Sequence, residues 1–322
     1  MKLLKLIPDN TNIRFLRWRV PFYSVSIFLM VASIALVLIK GLDLGVDFVG
    51  GQMIRVTYAE STEAPLAELR SNVDALGYGE PVIQQMGQPN QVSLRMKLPE
   101  DDAQGLADAM TREIVTTIEQ GHPDARVDGV ESVSGQVSDE LFRTGMLAMG
   151  LAIIGISIYI WLRFEWQFGV GALFALTHDV VVTLGLFALT GMEFDLNIVA
   201  ALLTLIGYSL NDNIVVYDRV RENLKKYRKM PMPELLDLSV NETLSRTIVT
   251  TISLLITLVA LLILGPDVIF GFTAAITIGI FIGTYSSIFM STPILIWLNV
   301  TPESFVPAEA REGKERKAPG AA

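Results

Sequence analysis

The chain has 322 residues, 51% of them hydrophobic, with a formal net charge of −9 and no cysteine. Apolar content this high exceeds what a soluble chain of the same length carries and points to a membrane protein. Without cysteine there is no disulfide, thiol nucleophile or thiolate metal site; two histidines exclude a His-rich metal centre; and the acidic balance argues against nucleic-acid binding.

Arg14, Arg17 and Arg19 precede a first apolar run from about Val20 to Ile39. A helix rising ~1.5 Å per residue needs ~20 apolar residues to cross a hydrocarbon core of ~30 Å, which this run supplies. No small-x-small cleavage pattern follows Ile39, so the run is expected to stay as an anchor. Next comes Gly45-Val46-Asp47-Phe48-Val49-Gly50-Gly51, whose glycine pair permits positive φ at the entry to a strand.

A polar stretch of about a hundred residues follows. Ile54, Val56 and Tyr58 alternate with Met53, Arg55 and Thr57, the period of a strand. Leu66, Leu69, Val73 and Leu76 recur at helical spacing after Pro65, and Gly77 and Gly79 end that helix. Strands are predicted over Pro81 to Met86 and Val92 to Leu98, joined across Gly87 to Asn90. A longer helix carries Leu106, Met110, Ile114 and Ile118 on one face, and a weaker strand covers Arg126 to Val133. The order βαββαβ is the ferredoxin-like pattern, a fold too widely reused to identify a function.

Five more spans are predicted: about Gly145 to Leu162, Phe168 to Leu189, Leu196 to Val216, Ile248 to Leu264 and Val268 to Leu298. Only Gly265, Pro266 and Asp267 separate the last two, which fixes them as an antiparallel hairpin. The expected architecture is a polytopic α-helical membrane protein with six transmembrane helices and one α+β ferredoxin-like periplasmic domain. Its parts are an N-terminal segment 1–19, a first transmembrane helix 20–39, the periplasmic domain 40–143, a bundle 144–298 and a tail 299–322.

Basic residues set the orientation. Besides the arginines before the first span, Arg163 separates the second and third, and Arg219, Arg221, Lys225, Lys226, Arg228 and Lys229 crowd between the fourth and fifth; the tail adds Arg311, Lys314, Arg316 and Lys317. The loops Thr190 to Asp195 and Gly265 to Asp267 carry none. Both termini are therefore expected on the cytoplasmic side of the membrane, and the domain on the outer side. That domain, residues 41–140, holds 18 acidic and 6 basic residues.

Ionisable groups within spans are costly and mark function. His178 and Asp179 stand 11 to 12 residues into the third span, ~17 Å deep by helical rise. The fourth ends Gly207-Tyr208-Ser209-Leu210-Asn211-Asp212-Asn213, and Asp212 is expected ~6 Å inside the edge if that span stops at Val216, with Ser209 on the same face. Arg246 opens the fifth at similar depth, so a carboxylate and a guanidinium can meet. Two readings of Asp212 stand: a carboxylate that binds and releases a proton, or one half of a static ion pair. For His178 and Asp179 they are a relay or pore lining against a satisfied interhelical hydrogen bond.

These motifs together resemble the SecF family of bacterial protein-export subunits. Gly45 to Gly51 is similar to the family's Asp-Phe-x-Gly-Gly signature; Gly207 to Glu222, Ser245-Arg246-Thr247 and Thr177-His178-Asp179 are similar to its fourth, fifth and third spans. The resemblance implies a proton-driven assembly with SecD that aids translocation of unfolded polypeptides through SecYEG, alongside other Sec accessory proteins. It places Asp212 and Arg246 at positions of proton conduction, and Asp47, Phe48, Gly50 and Gly51 at the family junction; Asn211 and Asn213 join His178, Asp179 and Ser209 as further membrane polar groups. No cofactor, metal or catalysis is expected. The alternatives are a subunit of a resistance-nodulation-division-type small-molecule efflux pump, a non-transporting assembly subunit, or an intramembrane aspartyl protease using Asp179 and Asp212. The protease reading lacks a Gly-x-Gly-Asp motif.

Overall fold

The structure, a computed structural model, describes residue 8 and residues 11–86, 88–97 and 104–301. The basic tail and Leu98 lie outside the described residues. Among the described residues, six helical segments are long and apolar enough to cross a membrane. The first is α1 (Arg19–Lys40), continuing a short 3-10 turn. After it come a two-residue strand β1 (Asp43–Leu44) and one helical turn α2 (Val46–Val49).

The extramembrane domain follows as β2 (Gly51–Tyr58), α3 (Leu66–Asp74), β3 (Val82–Gln85), β4 (Gln91–Met96), α4 (Gln104–Gly121) and β5 (Ala125–Val133). Its antiparallel sheet runs β3-β4-β2-β5, with a bulge where Arg55 gives way to Val56 opposite β5. Period-2 alternation sends Ile54, Val56, Tyr58, Ile83, Val92, Leu94 and Met96 to one face, where they pack on Leu69, Val73, Met110, Ile114 and Ile118 of the two helices. Each such burial contributes about 1.5–3 kcal/mol, enough to hold a sheet of short strands. The other face presents Arg55, Ser93 and Arg95.

Five spans complete the chain: α5 (Gly135–Arg163), α6 (Trp166–Thr190), α7 (Leu196–Lys226), α8 (Met232–Leu264) and α9 (Phe270–Ser286). A π-helical turn, Ser287–Ser291, joins α9 to α10 (Thr292–Trp297), and these three pieces make up the last span. A second two-residue strand, β6 (Glu193–Phe194), lies between α6 and α7 and pairs in parallel with β1.

Three spans are longer than hydropathy implies. Helix α5 starts ten residues early, where Ser134 caps it by accepting from the Val137 amide at 3.4 Å. Helix α7 continues past Val216 to Lys226, and α8 starts at Met232 rather than Ile248. The two extensions pack on each other: Val220 and Leu224 share a core with Leu235, Leu236 and Val240. Asn223 donates to Ser239 Oγ at 3.0 Å and to Glu242 Oε2 at 2.8 Å. Charges on their exposed faces lower the window average, so an amphipathic extension is invisible to hydropathy though plain to helical periodicity.

Candidate functional site

Helices α6, α7 and α9 form the inside of the bundle, and two carboxylates meet there. Asp179 on α6 is 1% exposed and Asp212 on α7 is 7% exposed. A charged or polar group in hydrocarbon must find partners inside the protein. Asp179 Oδ2 accepts from Ser209 Oγ at 2.6 Å and Ser286 Oγ at 2.9 Å, while Oδ1 lies 3.0 Å from His178 Nδ1. Asp212 Oδ1 accepts from Thr247 Oγ1 at 2.8 Å, and its Oδ2 from Ser287 Oγ at 2.6 Å.

Consecutive serines on α9 and its π turn thus each hold one carboxylate. Regular helical geometry would turn neighbouring side chains about 100° apart, and the two hydroxyls reach carboxylates on two different helices. In the π turn the Ser287 carbonyl also accepts from side chains, from Ser291 Oγ at 2.8 Å and Thr292 Oγ1 at 2.9 Å. Tyr217 OH donates to the Ser291 carbonyl at 3.2 Å. Close approach of backbones makes this possible. A Cβ on Gly283 would stand 3.4 Å from Ser209 Cβ and 3.5 Å from Asp179 Oδ2, and one on Gly279 would press Leu205 at 2.6 Å.

Helix α7 runs fourteen residues past Asp212, and the last part of it is the extension that packs on α8. Tyr217, five positions on from Asp212, packs on Phe164 and Phe168 at the start of α6, so Asp212 lies ~8 Å from that level and Asp179, thirteen residues into α6, lies deeper. Ser209 turns to Asp179 rather than to Asp212. Asn213 is fully buried and donates to the Ser209 carbonyl at 3.0 Å; Asn211 is exposed. His178 is 1% exposed, and its Nε2 has no hydrogen-bond partner among the described residues.

Arg246 is placed differently from the expected contact. It is exposed, both Asp212 oxygens are taken by hydroxyls, and among the described residues no ion pair joins the two side chains. Thr247, one position on, supplies the contact from α8. Sequence reasoning missed Thr247, Ser286 and Ser287. The available signal was the run Ser286-Ser287 with Ser291-Thr292 in an otherwise apolar span, since small hydroxyl residues there usually face another helix.

The glycine junction is tied to the same helices. Asp47 Oδ2 accepts from the Leu196 amide at 3.0 Å, the first residue of α7, where a carboxylate also meets the positive helix end. Asp195 caps the same end, accepting from the Ile198 amide at 3.0 Å. Phe48 stacks on Phe194 with ring centroids 5.9 Å apart. Gly50 and Gly51 adopt φ of 67° and 117°, and a Cβ on Gly51 would stand 2.4 Å from the Met96 carbonyl oxygen. The junction therefore connects the sheet directly to the helix that carries Asp212.

A multi-pass membrane protein with a carboxylate pair inside its bundle and a glycine junction to a single α/β domain is the class that this geometry defines. Comparison with known proteins makes it specific. Residues 113–301 match the family described as "Protein export membrane protein SecD/SecF, C-terminal", and residues 35–61 match "SecD/SecF GG Motif". A protein translocase subunit SecF from Cereibacter sphaeroides is 46% identical over 92% of this chain and 93% of its own length. That from Vibrio alginolyticus is 38% identical over 97% and 98%. Among solved structures, SecDF of Thermus thermophilus, titled a translocon-associated membrane protein, superposes with a TM-score of 0.82 at 33% identity over 92% of this chain. SecDF in a super-membrane-facing form gives 0.65 at 32% identity over 95%. This chain spans 40% of each of those two chains. The chain belongs to the SecF family of protein-export membrane subunits; the efflux and assembly-only alternatives are not favoured.

Proposed function

We propose that the chain assembles with a SecD partner in the bacterial inner membrane and couples the proton-motive force to movement of an extramembrane domain that aids polypeptide export through SecYEG. The observation that carries this reading is the pair of buried carboxylates held by the consecutive hydroxyls of Ser286 and Ser287. Asp179 and Asp212 can each exchange a proton, the adjacent Ser286 and Ser287 report the state of one to the other, and α7 links Asp212 to the Asp47 junction. One charge moved through 100 mV is worth ~2.3 kcal/mol, enough to bias a domain between two seatings. His178 is the relay candidate beside Asp179. No catalysis is assigned.

Arg246 supports a partner. An exposed guanidinium at the head of the apolar run of α8, beside the Thr247 that holds Asp212, would be expensive against lipid, so we read that face as covered by the partner or by a water-filled groove between the two. Arg246 then joins the conduction path in the assembly rather than pairing statically in this chain. The strand order β3-β4-β2-β5 with two helices on one face supports the ferredoxin-like reading of the domain. Basic residues at the α7–α8 end support a cytoplasmic position for that end and for both termini.

The test is Asp212→Asn in membranes that depend on this chain for gradient-stimulated export. Stimulation should vanish while the protein level and complex recovery stay near normal; full stimulation with an intact dependence on the gradient would reduce Asp212 to a structural role. Orientation is tested by reporters at Glu119 and within Lys225 to Lys229, which should give opposite signals.

A further inference from the structure

At the end of the bundle that carries the sheet, polar contacts join the domain to the bundle beside the apolar packing of Phe48 on Phe142 and Phe194. The β1–β6 ladder sets Asp43 beside Glu193, and the Gly45 amide donates to the Phe194 carbonyl at 2.9 Å. From the sheet, Arg95 donates to Asp43 Oδ1 and to the Leu44 carbonyl. The charged neighbours of Glu193 each hold a partner through at least one atom, although Asp43 Oδ2 and Arg55 Nε are themselves buried without one among the described residues. Arg95 is held by Asp43, and Arg55 by Glu131 at 2.8 Å. Asp47 and Asp195 hold the first amides of α7, and the Lys40 ammonium donates to the Leu189 carbonyl at 2.9 Å. Glu193 is partly buried, and its Oε1 is enclosed without a hydrogen-bond partner among the described residues. It lines a cleft of about 130 Å³ with Arg55, Gln84, Ser93, Asp195 and Val268.

We propose that Glu193 is a proton-binding latch: it holds a proton while the sheet is seated on the bundle, and loss of that proton loosens the β1–β6 seam and lets the domain lift. The physical cause is enclosure. The Oε1 atom of an ionised Glu193 gives up water and gains no donor in exchange, whereas the neutral acid loses little. Burial pushes Glu193 up to about 7, with Arg95 and Arg55 opposing the shift and Asp195 and Asp43 adding to it. When the seam opens, Glu193 meets solvent and returns toward 4.5, its ordinary value.

The sign follows by linkage. The closed seam binds the proton more tightly than the open one, so closure is strongest below about 4.5, weakens across the window up to about 7 and is independent of Glu193 above it. Within that window the closed-to-open ratio falls by up to about tenfold per pH unit. This latch lies outside the spans and does not depend on the carboxylate pair in the bundle.

Hydrogen exchange reads the opening even when it is rare. The full chain, in lipid nanodiscs with and without its co-assembled partner, is followed through peptides covering residues 41–50, with rates corrected for the intrinsic effect of pH. Protection should fall by several-fold to tenfold per unit from pH 5 to pH 7 and level off above. Glu193→Gln keeps the shape and stays neutral, so its protection should be high and flat; the slope should survive in Asp212→Asn. A flat wild-type profile, an unchanged slope in Glu193→Gln or a slope abolished by Asp212→Asn would each overturn the latch. Failure of gradient-stimulated export in Asp212→Asn leaves it standing.

Discussion

Two sets of three spans divide the labour in this bundle. Helices α6, α7 and the α9 span bury 50%, 56% and 56% of their most apolar windows, whereas α1, α5 and α8 bury 17%, 11% and 17%. The inner set carries Asp179, Asp212, His178, Asn213, Ser209, Ser286 and Ser287, all of them buried; the outer set displays large apolar side chains such as Ile39, Leu162, Ile256 and Leu264. The difference shows what lipid does to a sequence. Apolar contact provides no reason to associate when the solvent is itself hydrocarbon, so glycine-permitted approach and hydroxyl-to-carboxylate bonds hold the inner set together, and the outer set is greasy except where hydroxyls such as Thr247 and Thr251 of α8 turn inward.

The comparison breaks first at Asp212. Asp212→Asn, with almost no change of volume, should abolish gradient-stimulated export, whereas Ile256→Ala on the outer set should leave it within measurement error. Gly51→Val comes next, because a β-branched residue cannot take φ of 117° and its Cβ would meet the Met96 carbonyl. We expect a loss of about 3 kcal/mol or more in seating of the domain, read as new protease sites near residues 45–51, against no change for exposed Glu63→Ala. Gly279→Leu should cost ~1–3 kcal/mol by overpacking against Leu205, seen as a lower detergent melting temperature.

A smaller effect sharpens the comparison. Ser287→Ala removes one charge-assisted hydrogen bond, worth ~1.5–3 kcal/mol, from Asp212 and leaves the Thr247 bond in place. Export stimulation should fall by about an order of magnitude without vanishing, and its pH profile should move. Ser287→Thr, which keeps the hydroxyl, should restore most of it. A Ser287→Ala profile identical to the parent would show that the π turn only packs.

Legibility varied with the kind of contact. All six spans were readable, since spanning is a local demand on some twenty residues, and the strands and helices of the α/β domain followed from periods of 2 and 3.6. The ends of α7 and α8 were not, because Glu234, Asp237 and Glu242 on one face mask the buried stripe Leu235, Leu236, Ser239 and Val240 on the other. Among site residues, Asp212, Asp179 and His178 stood out as ionisable groups in apolar runs. Thr247, Ser286 and Ser287 did not, because a hydroxyl in a membrane helix can equally bond its own preceding turn, as Thr177 does to the Leu173 carbonyl.

The sequence by itself determined which segments enter the membrane, the order of elements in the domain, and the family, through motifs that keep glycine and carboxylate in fixed local spacing. Only the tertiary structure decided the partners. It gave Asp212 to Thr247 and Ser287 instead of Arg246, set Ser209 on Asp179, and paired Asp43 with Glu193 across 150 positions, leaving one carboxylate oxygen of Glu193 enclosed with no donor among the described residues. Each of these depends on which helix faces meet and on a π turn that shifts the phase of one helix, and no local window contains that information. Burial of a charge is a property of the whole packing arrangement, and the structure had to supply it.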